Sequence, residues 1–520
     1  MNIKTPNTMK KGILLALLCL ALFNCYAQQG VYNVLSFKAI NNGKALTTAQ
    51  LQKAINTCAA NGGGMVYVPK GDYLTGTLNL RSNVDFHMET GARLIATTDL
   101  KQYQKHNSEL AGVFYTEKAH NVSITGNGTI FGQGMKMMYI DSAKVIGDKS
   151  DTRQKDNFRK VASGNGDGPF YPKDRFHQMV IFSECTKVNL KDFTCIDAPY
   201  WTFLVVHCDD VIVDGLRIEN NLNIPNSDGL DVISSSNVNI SNCYFSCGDD
   251  AIVLAGYAWH WGDPGFKRIM KRSENINVNN CILRSRSSGI RIGGWDQNNM
   301  YNYNFNNITI FDSNRGINLG IGDYGSMENI NFTNINIQTR LHTGDWWGEG
   351  DPIKITAMRG MPTGKVGTIK NVTFTNVFCR SENCINMYAS EESKLENIFF
   401  INLQMEFVKS ALEETVGGNL DLRPNTVPHK EIFARDIPAI YVENGRNILF
   451  NQVVVSWDKN IDKKHYTNAI EAIKVDNLRL TGVKGSAAPS NPDMADVLLN
   501  SCKDFYTDSK LTVKKIGDEK

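Results

Sequence analysis

The 520-residue chain has no excess of charge of either sign, with 55 Lys and Arg against 53 Asp and Glu. Without a basic field nothing attracts a nucleic-acid backbone, so no nucleic-acid partner is expected. Long hydrophobic runs are missing beyond the N-terminus, and no later segment can cross a bilayer. None of the 12 cysteines has CxxC spacing, which removes zinc clusters and dithiol redox motifs. Apart from one short segment, a 3.6-residue apolar period is also absent, and this excludes helical repeats. No linker rich in proline, glycine or serine divides the chain.

What is present begins at the N-terminus. Lys10 and Lys11 precede the apolar run GILLALLCLALF, which leads to Cys25-Tyr26-Ala27. A charged start, a short apolar core and a small residue at a cleavage point describe a secretory signal over residues 1–27. The run is too short for an anchor. Lipid attachment at Cys25 is the lesser alternative, because bulky LFN precedes it. The remaining protein is expected to be secreted or periplasmic, and a monomer.

A short pattern then recurs: a polar residue, apolar–any–apolar, and Asn, Asp or Gly. Its first apolar members are Val188, Val211, Val238, Ile276, Tyr303, Ile330, Val372, Ile398, Ile448 and Leu478. The intervals are 23, 27, 38, 27, 27, 42, 26, 50 and 30 residues. A basal spacing in the twenties, lengthened by inserts, suits the coils of a parallel β-solenoid with Asn-rich corners. The expected fold is therefore all-β. Cys185 and Cys208 share one place in their coils, and Cys243 and Cys281 another, so each pair stacks on adjacent rungs as small buried hydrophobes. Disulfides are disfavoured because stacked side chains point in parallel.

The segment TTAQLQKAINTCAANGGG puts Leu51, Ala54, Ile55 and Cys58 on one helical face, with Thr47 or Thr48 as N-cap and Gly62 as terminator. A solenoid has an open end to cover, and this helix is the natural cap. Residues 28–100 are taken as the cap and first coils, and 101–520 as the catalytic solenoid.

The segments NSDGLDV and SCGDDAIVL carry the chemistry. Matching Leu230 to Ile252 stacks Asp228 on Asp250, with Asp249 one residue earlier. Alternation turns Leu230 and Ile252 inward and leaves the carboxylates on an outer face. Repulsion and partial burial then hold at least one proton among them at neutral pH. Glycosidic cleavage needs such a set: an acid for the leaving oxygen and a carboxylate to activate water. Calcium binding is the alternative, but no EF-hand spacing accompanies the pair. Solvated turn aspartates are a further one.

At these residues the chain resembles the polygalacturonases of glycoside hydrolase family 28, which are right-handed parallel β-helices. IPNSDGLDV is similar to their NTD block and SCGDDAIVL to their DD block. The resemblance implies Asp249 as general acid, Asp228 and Asp250 as the groups that activate water, single-step inversion, and no metal or other cofactor. It also implies that Asn226 orients the substrate or a neighbouring carboxylate.

Two of the family's blocks are altered. Ser288 in RSSGIRIGG stands where the family has the GHG histidine, and Asn318 and Gly320 in NRGINLGIG replace the arginine and lysine of RIK. Ala255 replaces a frequent lysine. Those basic groups grip a galacturonate carboxylate in the family, so the change bears on substrate more than on chemistry. Taking Ile290, Ile317 and Ile353 as inward markers puts Asp231, Val253, Arg291, Asn318 and Lys354 in one outward column. Arg291 and Lys354 are thus expected either to hold an anionic sugar group or to form ion pairs with Asp231 or Asp351. Trp259, Trp261, Trp346 and Trp347, in two inserts, either stack on sugar rings or pin their loops. His260 is expected to contact substrate rather than act as a general base, with replacement of the missing histidine as the alternative.

The leading expectation is an exported hydrolase of α-linked galacturonic acid or a related galactosyl unit in a pectin-like polysaccharide. The alternatives are an exo-acting hydrolase of galactosides or anhydrogalactosides in sulfated algal polymers, a polysaccharide lyase on the same fold, and a non-catalytic sugar-binding solenoid.

Overall fold

In the computed structural model the described residues are 30–106, 109–144, 152–154, 167–257, 271–295, 297–360, 365–423 and 431–517. The expected signal and the expected contacts Trp259, His260 and Trp261 lie outside them. Among the described residues no helix is long and apolar enough to cross a membrane.

The chain winds as a parallel β-helix, in which the strands of the coils pair in parallel with their counterparts one coil later, while a few short strands in the connections pair antiparallel. The markers expected to stack do so: Val188 pairs with Val211, Val211 with Val238, Val238 with Ile276, and Ile276 with Tyr303. Alternation sends one side chain inward and the next to solvent along strands such as Ser326–Thr339. The inward residues form one continuous core, in which Phe305, Phe332, Phe374, Phe400 and Phe450 stack with ring centroids 4.5 to 5.2 Å apart.

Asparagine makes the corners. Asn275, Asn302, Asn329, Asn371, Asn397, Asn447 and Asn477 all have φ between 53° and 60°. Asparagine tolerates this left-handed conformation better than other side chains with a Cβ. Each amide donates to the asparagine one coil earlier, so the turn residue also ties the rungs together.

Helix α1, Thr48–Ala60, covers the N-terminal end with Leu51, Ala54, Ile55 and Cys58 buried. Thr47 occupies the N-cap position, but its hydroxyl accepts from the Ile40 amide instead of the helix. The described cysteines are free thiols, and the Cys185 amide donates to the Cys208 sulfur at 3.4 Å.

A fourteen-stranded sheet carries the functional face. Five of its consecutive strands matter here: β1 (Phe203–Val206), β2 (Leu230–Ile233), β3 (Ile252–Ala255), β4 (Ser288–Trp295) and β5 (Arg315–Gly322). A sixth, β6 (Ile353–Met358), follows. The 50-residue interval after Ile398 accommodates an insert that folds back over this face, burying Asp421 and Arg423 beside β5 and β6.

Candidate active site

Leu230 pairs with Ile252, Ile252 with Ile290, Ile290 with Ile317, and Ile317 with Ile353. This register stacks Asp228 on Asp250, and oxygens of Asp228, Asp249 and Asp250 all lie within 4.8 Å of one another. All three are buried, as is Asp231. They line a cavity of about 150 Å³ walled by Tyr200, Trp201, Tyr257, Trp295 and Trp347, with Asn226, Arg291 and Arg315 also facing it.

Each carboxyl has a different environment. One oxygen of Asp249 accepts from the Asn226 backbone at 3.2 Å and from its amide at 3.4 Å. Its other oxygen accepts from the Asp250 backbone N–H at 3.0 Å. Burial and the adjacent Asp250 push the Asp249 carboxyl up to about 6, against the opposing pull of Lys144 and Arg291. Asp250 accepts from the Ser288 amide at 2.7 Å on one oxygen and from Arg291 Nη1 at 3.3 Å on the other. Asp228 has a buried oxygen without a partner among the described residues. Burial, followed by Asp249, Asp231 and Asp250, drives it well above the usual carboxylate range. Burial and Asp250 do the same to Asp231. The cluster therefore holds protons at neutral pH, as an acid–base centre requires. Three oxygens this close can also meet a cation, but a guanidinium already occupies the Asp250 side, and its like charge disfavours one.

Asn226 sits at the cavity wall with φ 58° and is itself held by Lys144 Nζ at 3.3 Å and Arg175 Nη2 at 3.4 Å. Arg175 lies over the Tyr200 ring, 4.6 Å from its centroid, and burial lowers it to about 10. Lys144 and Arg175 were not singled out in the sequence because they lie in connecting segments, just after the strand Met138–Ala143 and between the strands Phe170–Pro172 and Gln178–Ser183, outside the repeat register. Trp201 and Arg315 were legible. Phe203 pairs with Leu230, which places Trp201 one rung before Asp228, and Ser288 pairs with Arg315. Carrying the register one coil each way would have found both.

The expected outward column is present, since Asp231 pairs with Val253, Val253 with Arg291, Arg291 with Asn318 and Asn318 with Lys354. Its two cations differ. Arg291 reaches the cavity. Lys354 does not line it, and the expectation that it holds a sugar anion is corrected. It is 1% exposed and donates to the Arg423 carbonyl beneath the insert. There it joins Arg315, Arg423, Asp351 and Asp421, and burial and Arg315 push its amine down to about 7.

The tryptophans also part company. Trp347 walls the cavity, with Arg423 5.3 Å from its ring. Trp346 is corrected from sugar contact to loop anchor: it is buried, and its indole N–H donates to the Asp167 carbonyl at 2.6 Å.

The family model of glycosyl hydrolases family 28 matches residues 58–415, more than half of the chain. The chain belongs to this family. It is 24% identical over 285 residues to an exopolygalacturonase of Zea mays, a match covering 51% of this chain and 63% of the maize protein. Over 261 residues it is 25% identical to an exo-poly-alpha-D-galacturonosidase of Dickeya chrysanthemi, covering 43% of this chain and 42% of that protein. The chain thus spans less than two thirds of either relative's length. Among solved structures, a family 28 exopolygalacturonase of Yersinia enterocolitica superposes with TM-score 0.61 at 17% identity, covering 88% of this chain and 78% of that one. A Thermotoga maritima exopolygalacturonase gives 0.57 at 18%, covering 82% and 92%. These two likenesses concern the fold of this family 28 chain.

Proposed function

We propose that this family 28 chain is an exported hydrolase that cleaves α-linked galacturonic acid, or a related galactosyl unit, from a pectin-like polysaccharide. The convergence of Asp228, Asp249 and Asp250 in one aromatic-walled cavity carries the reading. Asp249 is the general acid, because its carboxyl keeps a proton to about pH 6. Its proton passes to the glycosidic oxygen as the bond from that oxygen to the anomeric carbon breaks. A water attacks the same carbon and gives its proton to the facing carboxylate of the Asp228–Asp250 pair. The sugar leaves with its new hydroxyl, and exchange with solvent restores both protonation states.

The resemblance implies inversion at the anomeric carbon. A third carboxyl favours inversion, since a stacked pair offers a water two acceptors where a retaining enzyme presents one nucleophile. The anomer first released, followed by proton NMR, distinguishes the two.

Incubation with pectic and algal polysaccharides and identification of the products tests the substrate. Free galacturonic acid supports the proposal, and an unsaturated product absorbing in the ultraviolet overturns it in favour of a lyase. A second reading, a neutral galactoside or anhydrogalactoside unit, is favoured by one observation: Arg291 and Arg315 already face carboxylates of the protein.

A further inference from the structure

Four carboxyls crowd the cavity wall: Asp228 and Asp231 from the β2 segment, and Asp249 and Asp250 from the turn before β3. They cannot all ionise together at such separations. The donors are distributed unequally among them. Asp250 alone is engaged on both oxygens by donors from the next coil, the Ser288 amide and the Arg291 guanidinium. Arg291 is in turn aimed by Tyr257, whose hydroxyl lies 2.9 Å from its Nη2. Tyr257 is fixed by its carbonyl, which accepts from the Ser234 hydroxyl at 2.7 Å. Asp228 and Asp231 each keep a buried oxygen without a partner among the described residues.

We infer that Arg291 is a positioning residue that selects Asp250, from the four facing carboxyls, as the charged base, while Asp228 carries a proton in the resting enzyme. This rests on the reading of the cavity as a hydrolytic site. It replaces the equal sharing of the water between Asp228 and Asp250, and it removes Arg291 from the groups that hold substrate. The reason is electrostatic. A guanidinium beside one carboxylate in a low-dielectric wall stabilises that charge by far more than it would in water. The cost of a second charge then falls on the carboxyls that have fewer donors. Among the described residues, the titratable groups that act on Asp250 are Asp228, Asp231, Asp249, Cys247, Tyr257 and Arg291, of which Arg291 is the cation. Lys144 and Arg175 act from the far side on Asp249 and Asp228.

The test compares Arg291→Met, Arg291→Lys, Asp228→Asn and Asp250→Asn. With Arg291→Met the acid limb of the kcat/KM profile moves to higher pH, because the base loses the cation that keeps it charged, and Arg291→Lys restores most of the shift. Asp250→Asn lowers kcat at least ten-fold more than Asp228→Asn. Adding Arg291→Met to Asp250→Asn changes the limb no further. A rise in KM confined to uronate substrates, with an unmoved acid limb, would make Arg291 a substrate clamp and overturn the inference. Equal losses from Asp228→Asn and Asp250→Asn would overturn it as well. Carbon-13 shifts of the aspartate carboxyls, followed against pH in wild type and Arg291→Met, report the same charge distribution without substrate. A wrong substrate assignment therefore leaves this arm intact, and an unchanged carboxyl titration there sinks the inference by itself.

Discussion

A Cβ on Gly229 would sit 2.3 Å from the Ala251 carbonyl oxygen, so the two rungs that bear the carboxylates approach as closely as backbone allows. The Gly229 amide donates to the Asp250 carbonyl at 2.9 Å and fixes Asp228 above Asp250. Gly229→Ala must push these rungs apart. It is expected to lower stability by about 1–3 kcal/mol and kcat/KM by about a hundred-fold, as denaturant melts and initial rates would read.

Replacing Asp249 by Asn separates catalysis from stability. In the folded state its carboxyl titrates near 6, above the roughly 3.9 of an unfolded aspartate. Stability is therefore lost as pH rises between those values, and the full cost of about 3 kcal/mol is in place at neutral pH. Asp249→Asn is expected to melt at higher temperature than wild type at pH 7.5, to gain little at pH 4, and to lose about 10²–10⁴ in kcat.

On the proposed mechanism the same group sets the alkaline side of the activity profile. With Asp249 as the acid that must be protonated, kcat/KM is expected to fall as pH rises through about 6. The carboxyls are coupled, so the limb belongs to the cluster as a whole. A profile flat to pH 8 would remove Asp249 from the acid role.

Beneath the insert, Arg315 lies 3.1 Å from Asp421, which also takes Arg423 at 3.1 Å. Asp421→Ala leaves Arg315, Arg423 and Lys354 buried with too little counter-charge. A loss of about 3–5 kcal/mol is expected by chemical denaturation. Lys354→Met, by contrast, should leave KM for uronate and neutral substrates unchanged relative to each other.

Trp347→Ala is expected to raise KM about three- to ten-fold with a smaller change in kcat, since the indole supplies a wall of the cavity and no proton.

Much of this was legible because a parallel solenoid converts spacing into contact. Once Leu230 is placed on Ile252, the neighbours of Asp228 follow by counting, and so do Arg291 and Asn318 one and two rungs beyond. Counting fails where the chain leaves the rung. Lys144 and Arg175 reach Asn226 from segments with no common register. Lys354 has the right column but the wrong surroundings, because the insert at Asp421 covers it.

Alternating apolar residues and left-handed asparagine corners, both local properties, determined from sequence alone the β-helix, its rung register and the stacking of Asp228, Asp249 and Asp250. Only the tertiary structure decided which cations face those carboxyls, which of Trp346 and Trp347 reaches the cavity, and which carboxyl receives the guanidinium. Those outcomes depend on how long inserts fold across the face, and an insert has no periodicity from which its path can be counted.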